Sequence, residues 1–205
     1  DPFLQSPTET SVQVVWFTEL SGTDHWVNYG EGLDARAIAT TTQLSRTRED
    51  QDSHINTQAG DGSLYGQVTP RPIWRQEATI PDLTPARSEP GNSATGGIPY
   101  SVSSITEDGR SVTSDIFSLQ PLPQAGTPLN ILLTSDHQLM PMTPANIQAV
   151  GQAVEHIDAV FLAGDLVNIP DRASEWFDDS RGRAFFPTLQ GRPVAKLEKG
   201  DENAT

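Results

Sequence analysis

The sequence predicts a β + α/β chain: a β-sandwich over residues 1–120, a proline-rich linker over 121–128, and the opening β-α-β of an α/β domain over 129–205. Three observations predict it. Up to Leu119, short runs of period two alternate with turns rich in Gly, Pro, Ser and Asn, the pattern of half-buried strands. "QPLPQAGTP" (Gln120–Pro128) then sets three prolines in nine residues, a stiff spacer. Beyond it, two apolar runs of strand length flank a segment with helical periodicity, as in a strand–helix–strand unit.

The first part reads strand by strand. In "SVQVVWFT" (Ser11–Thr18), Val12, Val14 and Trp16 share one face and Gln13 takes the other. "ARAIATTTQLSR" (Ala35–Arg46) is rich in β-branched residues, and "ATIPDLTP" (Ala78–Pro85) carries Ile80 and Leu83 up to a Pro-bounded turn. "YSVSSI" (Tyr100–Ile105) alternates, "EDGR" (Glu107–Arg110) supplies an Asp-Gly hairpin turn, and "SDIFSL" (Ser114–Leu119) closes the set. About seven short strands over roughly 110 residues make a two-sheet sandwich. Ser88–Gly97 reads as a surface loop.

In the second part, "LNILLTS" (Leu129–Ser135) is nearly continuous in apolar residues, which predicts a strand buried on both faces of a parallel sheet. Thr143-Pro144 reads as an N-cap followed by proline at the first helical position. Ile147, Val150, Val154 and Ile157 then lie on one helical face. "AVFLAG" (Ala159–Gly164) is the second strand, and Ile169–Asp179 reads as a short helix capped by Asp171. The tail Lys196–Thr205 has little to bury.

Composition narrows the functional classes. The net charge of −14, from 27 acidic and 13 basic residues, repels phosphate backbones and argues against nucleic-acid partners. It would also repel a phosphorylated substrate unless a bound cation reversed the local field. No apolar run reaches the ~18 residues that a membrane helix needs. The chain has no cysteine, which excludes disulfides and thiolate metal sites. It starts Asp1-Pro2-Phe3, which fits either an artificially trimmed chain or a mature secreted or periplasmic chain whose leader has been removed, the second being the expectation. Trp16, Trp26, Trp74 and Trp176 are scattered, so no carbohydrate-stacking platform is expected.

Both strands of the β-α-β unit stop at an aspartate, Asp136 and Asp165. In open α/β sheets ligands bind beyond the carboxyl ends of the strands. Adjacent parallel strands bring the two carboxylates to one edge, an arrangement suited to a shared cation or a two-metal site. Gly164 permits a tight turn there, and Asn168 is in reach as a weak ligand or hydrogen-bond partner. A single strand-end aspartate is ordinarily a turn or cap residue; two, at successive ends of one unit, weigh as much toward metal as toward structure. For His137 by itself, a surface or supporting role outranks ligation.

"LLTSDHQ" followed after a helix by "VFLAGDLVN" resembles the first two blocks of the calcineurin-like metallophosphoesterases, D-x-H and G-D-x-x. Upstream, "PFLQSPTETSVQVVWFTE", "WVNYGEG" and "YSVSSITEDGRSVTSDIFSLQPLP" resemble the fibronectin-III-like N-terminal domain of purple-acid-phosphatase-like enzymes. The likeness covers most of residues 2–180. It implies an N-terminal fibronectin-III-like β-sandwich followed by a partial metallophosphoesterase domain, and a metal-dependent phosphoesterase acting on phosphate esters. It implies metal positions at Asp136, Gln138, Asp165 and Asn168, with His137 beside them, Asp136 on the first ion and Asp165 bridging.

Several residues depart from that pattern. Gln138 stands where the family has His or Gly, and the histidine comes one residue early at His137. Asn168 stands where the purple enzymes have the tyrosine that colours the iron, which argues against a ferric purple centre. The later G-N-H and G-H-x-H blocks are not in these residues: Gly91-Asn92 is followed by Ser93, and His25, His54 and His156 fit neither block. The chain is therefore expected to be the N-terminal part of a longer enzyme and to lack phosphatase activity by itself. The complete enzyme would hold two divalent ions, with Mn, Zn and Fe equally open, and this part need hold none. The competing expectation is a secreted, non-catalytic adhesion or assembly protein with a degenerate phosphoesterase remnant. Unfinished sheet edges would favour its self-association.

Overall fold

Among the described residues nine short strands carry the first part of the chain, and the longer ones pack where their apolar residues send them. The computed structural model describes residues 1–53, 68–84, 97–154 and 156–192. They divide into two compact units, Asp1–Ser45 with Pro72–Pro128, and Arg46–Arg71 with Leu129–Thr205.

The first unit is two antiparallel sheets around one apolar core. One sheet has the order β1-β2-β6-β5, from Phe3–Gln5, Val12–Thr18, Trp74–Ile80 and Thr40–Gln43. The other runs β4-β3-β7-β8, from Ala35–Ile38, Asp24–Tyr29, Ile98–Ile105 and Ser111–Thr113, with β9 (Phe117–Leu119) also paired to β7. Register follows the side-chain pattern: Val12 lies opposite Ile80 and Val14 opposite Ala78, so these four fall on one face. Val12, Val14, Trp16, Val27, Ala78, Ile80, Tyr100, Val102 and Leu119 form the core. The Asp108-Gly109 turn is present, with the Gly109 N–H donating to the Thr106 carbonyl at 2.9 Å and Gly109 at φ +81°.

The expected strand Ala35–Arg46 is two strands, because the chain changes sheets within it. β4 pairs with β3 and β5 with β6. The switch occurs at Ala39, whose N–H still reaches the His25 carbonyl at 2.9 Å.

In the second unit, β10 (Ile131–Thr134) and β11 (Ala159–Leu162) form a parallel pair, with helix α1 (Thr143–Ala153) between them in sequence. Two short helices follow, α2 (Ala173–Phe177) and α3 (Phe185–Leu189). A small core gathers Leu139, Val167 and Phe185, with Leu166, Trp176, Phe186 and Leu189 against it. The stretch flanking residues 54–67 belongs to this unit rather than to the sheets. Arg48 pairs with Arg172 and Ser53 with Asp179 in isolated bridges.

Three expectations for this unit are corrected. β10 and β11 are not buried on both faces: Ile131, Leu133, Val160, Phe161 and Leu162 are all exposed, since the sheet has only these two strands among the described residues. The N-cap of α1 is Met142, not Thr143. The Thr143 hydroxyl instead donates to the His137 carbonyl at 3.2 Å. The helix predicted over Ile169–Asp179 shrinks to α2, whose N-cap is Arg172. Asp171 gives its backbone carbonyl to Arg48 and its side chain to Arg46. The loop expected at Ser88–Gly97 (Gly97 excepted), His54, the Gly91-Asn92 pair and the tail Lys196–Thr205 lie outside the described residues.

Candidate metal centre

The carboxyl ends of β10 and β11 are where backbone strain collects. Seven non-glycine residues among those described have positive φ, and four of them sit here: Asp136 (+54°), Gln138 (+39°), Leu139 (+55°) and Asp165 (+49°). Such conformations persist only where the surroundings over-determine them, and they concentrate at functional sites. Gly164 adopts φ +110°, which a side chain would strain even though a Cβ there would meet nothing.

Parallel pairing brings the two strand ends together. Thr134 lies opposite Leu162, and the Ala163 N–H donates to the Thr134 carbonyl at 2.9 Å. The Asp136 N–H donates to the carbonyl of Gly164 at 3.3 Å, and the Gln138 N–H to that of Leu166 at 3.2 Å. Asp136 and Asp165 are therefore neighbours on one sheet edge, both exposed. The Ser135 hydroxyl donates to the Asp136 carboxylate.

Gln138 and Asn168 join the two loops. The Asn168 side-chain amide donates to the Gln138 carbonyl at 2.8 Å. Its own N–H and that of Ile169 donate to one oxygen of Glu175, at 2.6 and 3.0 Å. Glu175 is buried, and sequence reasoning missed it. The available signal was a glutamate in the first turn of a helix, a position that ordinarily reaches back to nearby N–H groups.

His137 is placed behind the corner and is 4% exposed. Its Nε2 lies 3.0 Å from the Thr134 hydroxyl, and its ring tilts against Phe185 with centroids 5.6 Å apart. Nδ1 is buried without a hydrogen-bond partner. Burial pulls the imidazole below its ordinary pKa, and the nearby Asp136 charge opposes this more weakly. A neutral, packed imidazole of this kind supports the backbone of the corner.

The donor chemistry suits a hard cation in part. Two carboxylates and two amide side chains offer oxygen ligands, the kind that Mg, Ca and Mn take. Among the described residues, however, no three His, Cys, Asp or Glu side chains form a group able to hold a metal. The corner sets Asp136 and Asp165 beside one another on one sheet edge, and among the described residues it falls short of a closed metal cage.

Comparison with known proteins points to the fold. No family model matches the chain, and a search of curated proteins finds no match. Among solved structures, the chain is similar to a purple acid phosphatase isolated from yellow lupin (Lupinus luteus) seeds, at 19% identity and a TM-score of 0.60. The match covers 95% of this chain and 33% of that one, so the chain spans about a third of that protein's length. What the two share is a purple-acid-phosphatase-like fold.

Proposed function

We propose that the chain is the N-terminal part of a metal-dependent phosphoesterase, a fibronectin-III-like sandwich followed by the first β-α-β of a metallophosphoesterase domain. Asp136 and Asp165 are its cation-binding residues, Gln138 and Asn168 flank them, and His137 supports them from behind. The observation that carries the reading is the pair of exposed aspartates at adjacent parallel strand ends, both at positive φ. Likeness in fold to a purple acid phosphatase supports it. The remaining ligands, and the acid that protonates the leaving group, come on this reading from segments outside these 205 residues. Two divalent ions in the complete enzyme would activate water and neutralise the phosphoryl oxygens. The contribution of this chain is to hold two carboxylates at one edge, and no turnover is expected from it alone.

The test is a manganese titration of the chain followed by electron paramagnetic resonance. Binding that weakens at least about tenfold in both Asp136→Asn and Asp165→Asn supports the reading, since each removes a charged oxygen ligand. Binding that is equal in the variants and the parent refutes the aspartate assignment, and absent binding puts the assembly reading below ahead.

A second reading, non-catalytic assembly, is favoured by a separate observation: the apolar side chains that β10 and β11 leave exposed. Sedimentation of the metal-free chain discriminates it, because assembly predicts defined oligomers that are indifferent to Asp165→Asn.

A further inference from the structure

We propose that Glu175 is a positioning residue that locks the two strand-end loops into one unit. It rests on the two-aspartate reading for its functional consequence, though not for its geometry. Glu175 sits in the first turn of α2, where a glutamate ordinarily caps its own helix. Here the carboxylate reaches past the N-cap Arg172 to the N–H groups of Asn168 and Ile169, at 2.6 and 3.0 Å. Hydrogen bonds to a buried anion are shorter and about twice as strong as neutral ones. They fix the segment that follows Asp165.

The hold passes on to the other loop. With its backbone pinned by Glu175, Asn168 directs its amide to the Gln138 carbonyl at 2.8 Å. The Gln138 N–H donates to the Leu166 carbonyl at 3.2 Å, so the peptides on both sides of Gln138 are gripped by the β11 loop. That grip matters because Asp136, Gln138 and Leu139 all have positive φ, which needs external support to persist. α2 is itself anchored: the Ser174 hydroxyl donates to Asp50 at 2.8 Å and the Trp176 indole to the Pro170 carbonyl at 2.9 Å. Glu175 thus stands at the base of a chain of bonds ending at Gln138.

The test is hydrogen exchange of the whole chain, parent against Glu175→Gln and Asn168→Ala. Glu175→Gln is expected to speed exchange about tenfold at Asn168 and Ile169 and also at Gln138, the loss expected when a charged hydrogen bond goes. Asn168→Ala is expected to free Gln138 while Asn168's neighbour Ile169 stays protected by Glu175. Exchange at Gln138 that is unchanged in both variants overturns the proposal and leaves Glu175 a local brace of α2. If Glu175→Gln does not fold, Asn168→Ala decides alone: Ile169 losing protection together with Gln138 overturns the proposal. Manganese affinity is read in parallel, and Glu175→Gln is expected to weaken it about fivefold with the Asp residues intact. Manganese binding that is indifferent to Asp136→Asn and Asp165→Asn refutes the two-aspartate reading, while the exchange data still decide the role of Glu175.

Discussion

Replacing Arg71 with methionine should release α2 from its mooring. The guanidinium is 6% exposed. Its Nη1 donates to both carboxylate oxygens of Asp178, at 2.9 and 3.0 Å, and to the Ser53 hydroxyl at 3.1 Å. Its Nε lies 3.5 Å from Glu49. Methionine keeps the apolar stem and removes the cation, so two largely buried carboxylates lose the charge between them. Removing one partner of a buried ion pair costs about 3–5 kcal/mol. Asp178 and Glu49 keep some solvent contact, at 13% and 23% exposure, which places the cost near the lower end, about 3 kcal/mol.

That cost corresponds to roughly a 150-fold shift in the equilibrium between closed and open α2. A chain of two units has no single well-defined melting temperature, so the readout is exchange of the Asp178 amide, which donates to Ser174 at 3.1 Å. Arg71→Met with Asp178→Asn should recover the part of the cost owed to the Asp178 charge, while the part owed to Glu49 stays. A change below about fivefold in the single variant would refute the reasoning. It would mean that water screens the pair and that Arg71 does not hold α2.

Three further outcomes follow from particular groups. Gly164→Ala should destabilise the second unit by about 1–2 kcal/mol through backbone strain alone, because its φ is +110° and a Cβ meets nothing; urea unfolding measures it. Burial depresses the pKa of His137, so below about pH 6.5 the unfolded chain takes up a proton that the folded chain refuses. Stability should then fall as pH drops through that window, by at most about 1.4 kcal/mol per pH unit, and His137→Gln should flatten the slope. Burial pushes Tyr100 up to about 12; its unfolded counterpart ionises near 10. Stability should fall as pH rises between those values, a loss that Tyr100→Phe removes, and near-ultraviolet titration should show a late ionisation that Tyr100→Phe abolishes.

Local pattern made part of this structure legible. β2 could be read because Val12, Val14 and Trp16 alternate toward one core, and the ends of β10 and β11 because each apolar run stops at an aspartate. The split of Ala35–Arg46 was not legible, since a strand that changes sheets keeps its β-branched composition on both sides of the change. Nor was the exposure of Leu133 and Phe161: an apolar run reports what a strand could bury, not whether anything covers it. The most distant misreading concerns residues 46–53 and 71. They belong with α2 through Arg71, Asp178, Ser53 and Asp50, contacts spanning more than a hundred residues that no local periodicity encodes. At the site, the aspartates were visible as residue types, while the role of Glu175 depends on where its helix starts.

The uncovered pair of strands also governs how the chain behaves as a colloid. Leu133 at 71% exposure and Phe161 at 57% lie opposite one another in the parallel register, an adhesive strip on a molecule carrying a net charge of −14. In dilute salt that charge acts over a Debye length of about 10 Å at 0.1 M and keeps molecules apart; at 1 M, where it shrinks to about 3 Å, the strips can meet. Light scattering should therefore rise with ionic strength, and Leu133→Lys with Phe161→Lys should suppress the rise. Divalent cations would act twice in this setting, as the ion that Asp136 and Asp165 are proposed to hold and as neutralisers of the repulsion. The titrant that tests the site is therefore expected to raise the scattering as well, and Leu133→Lys with Phe161→Lys separates the two effects.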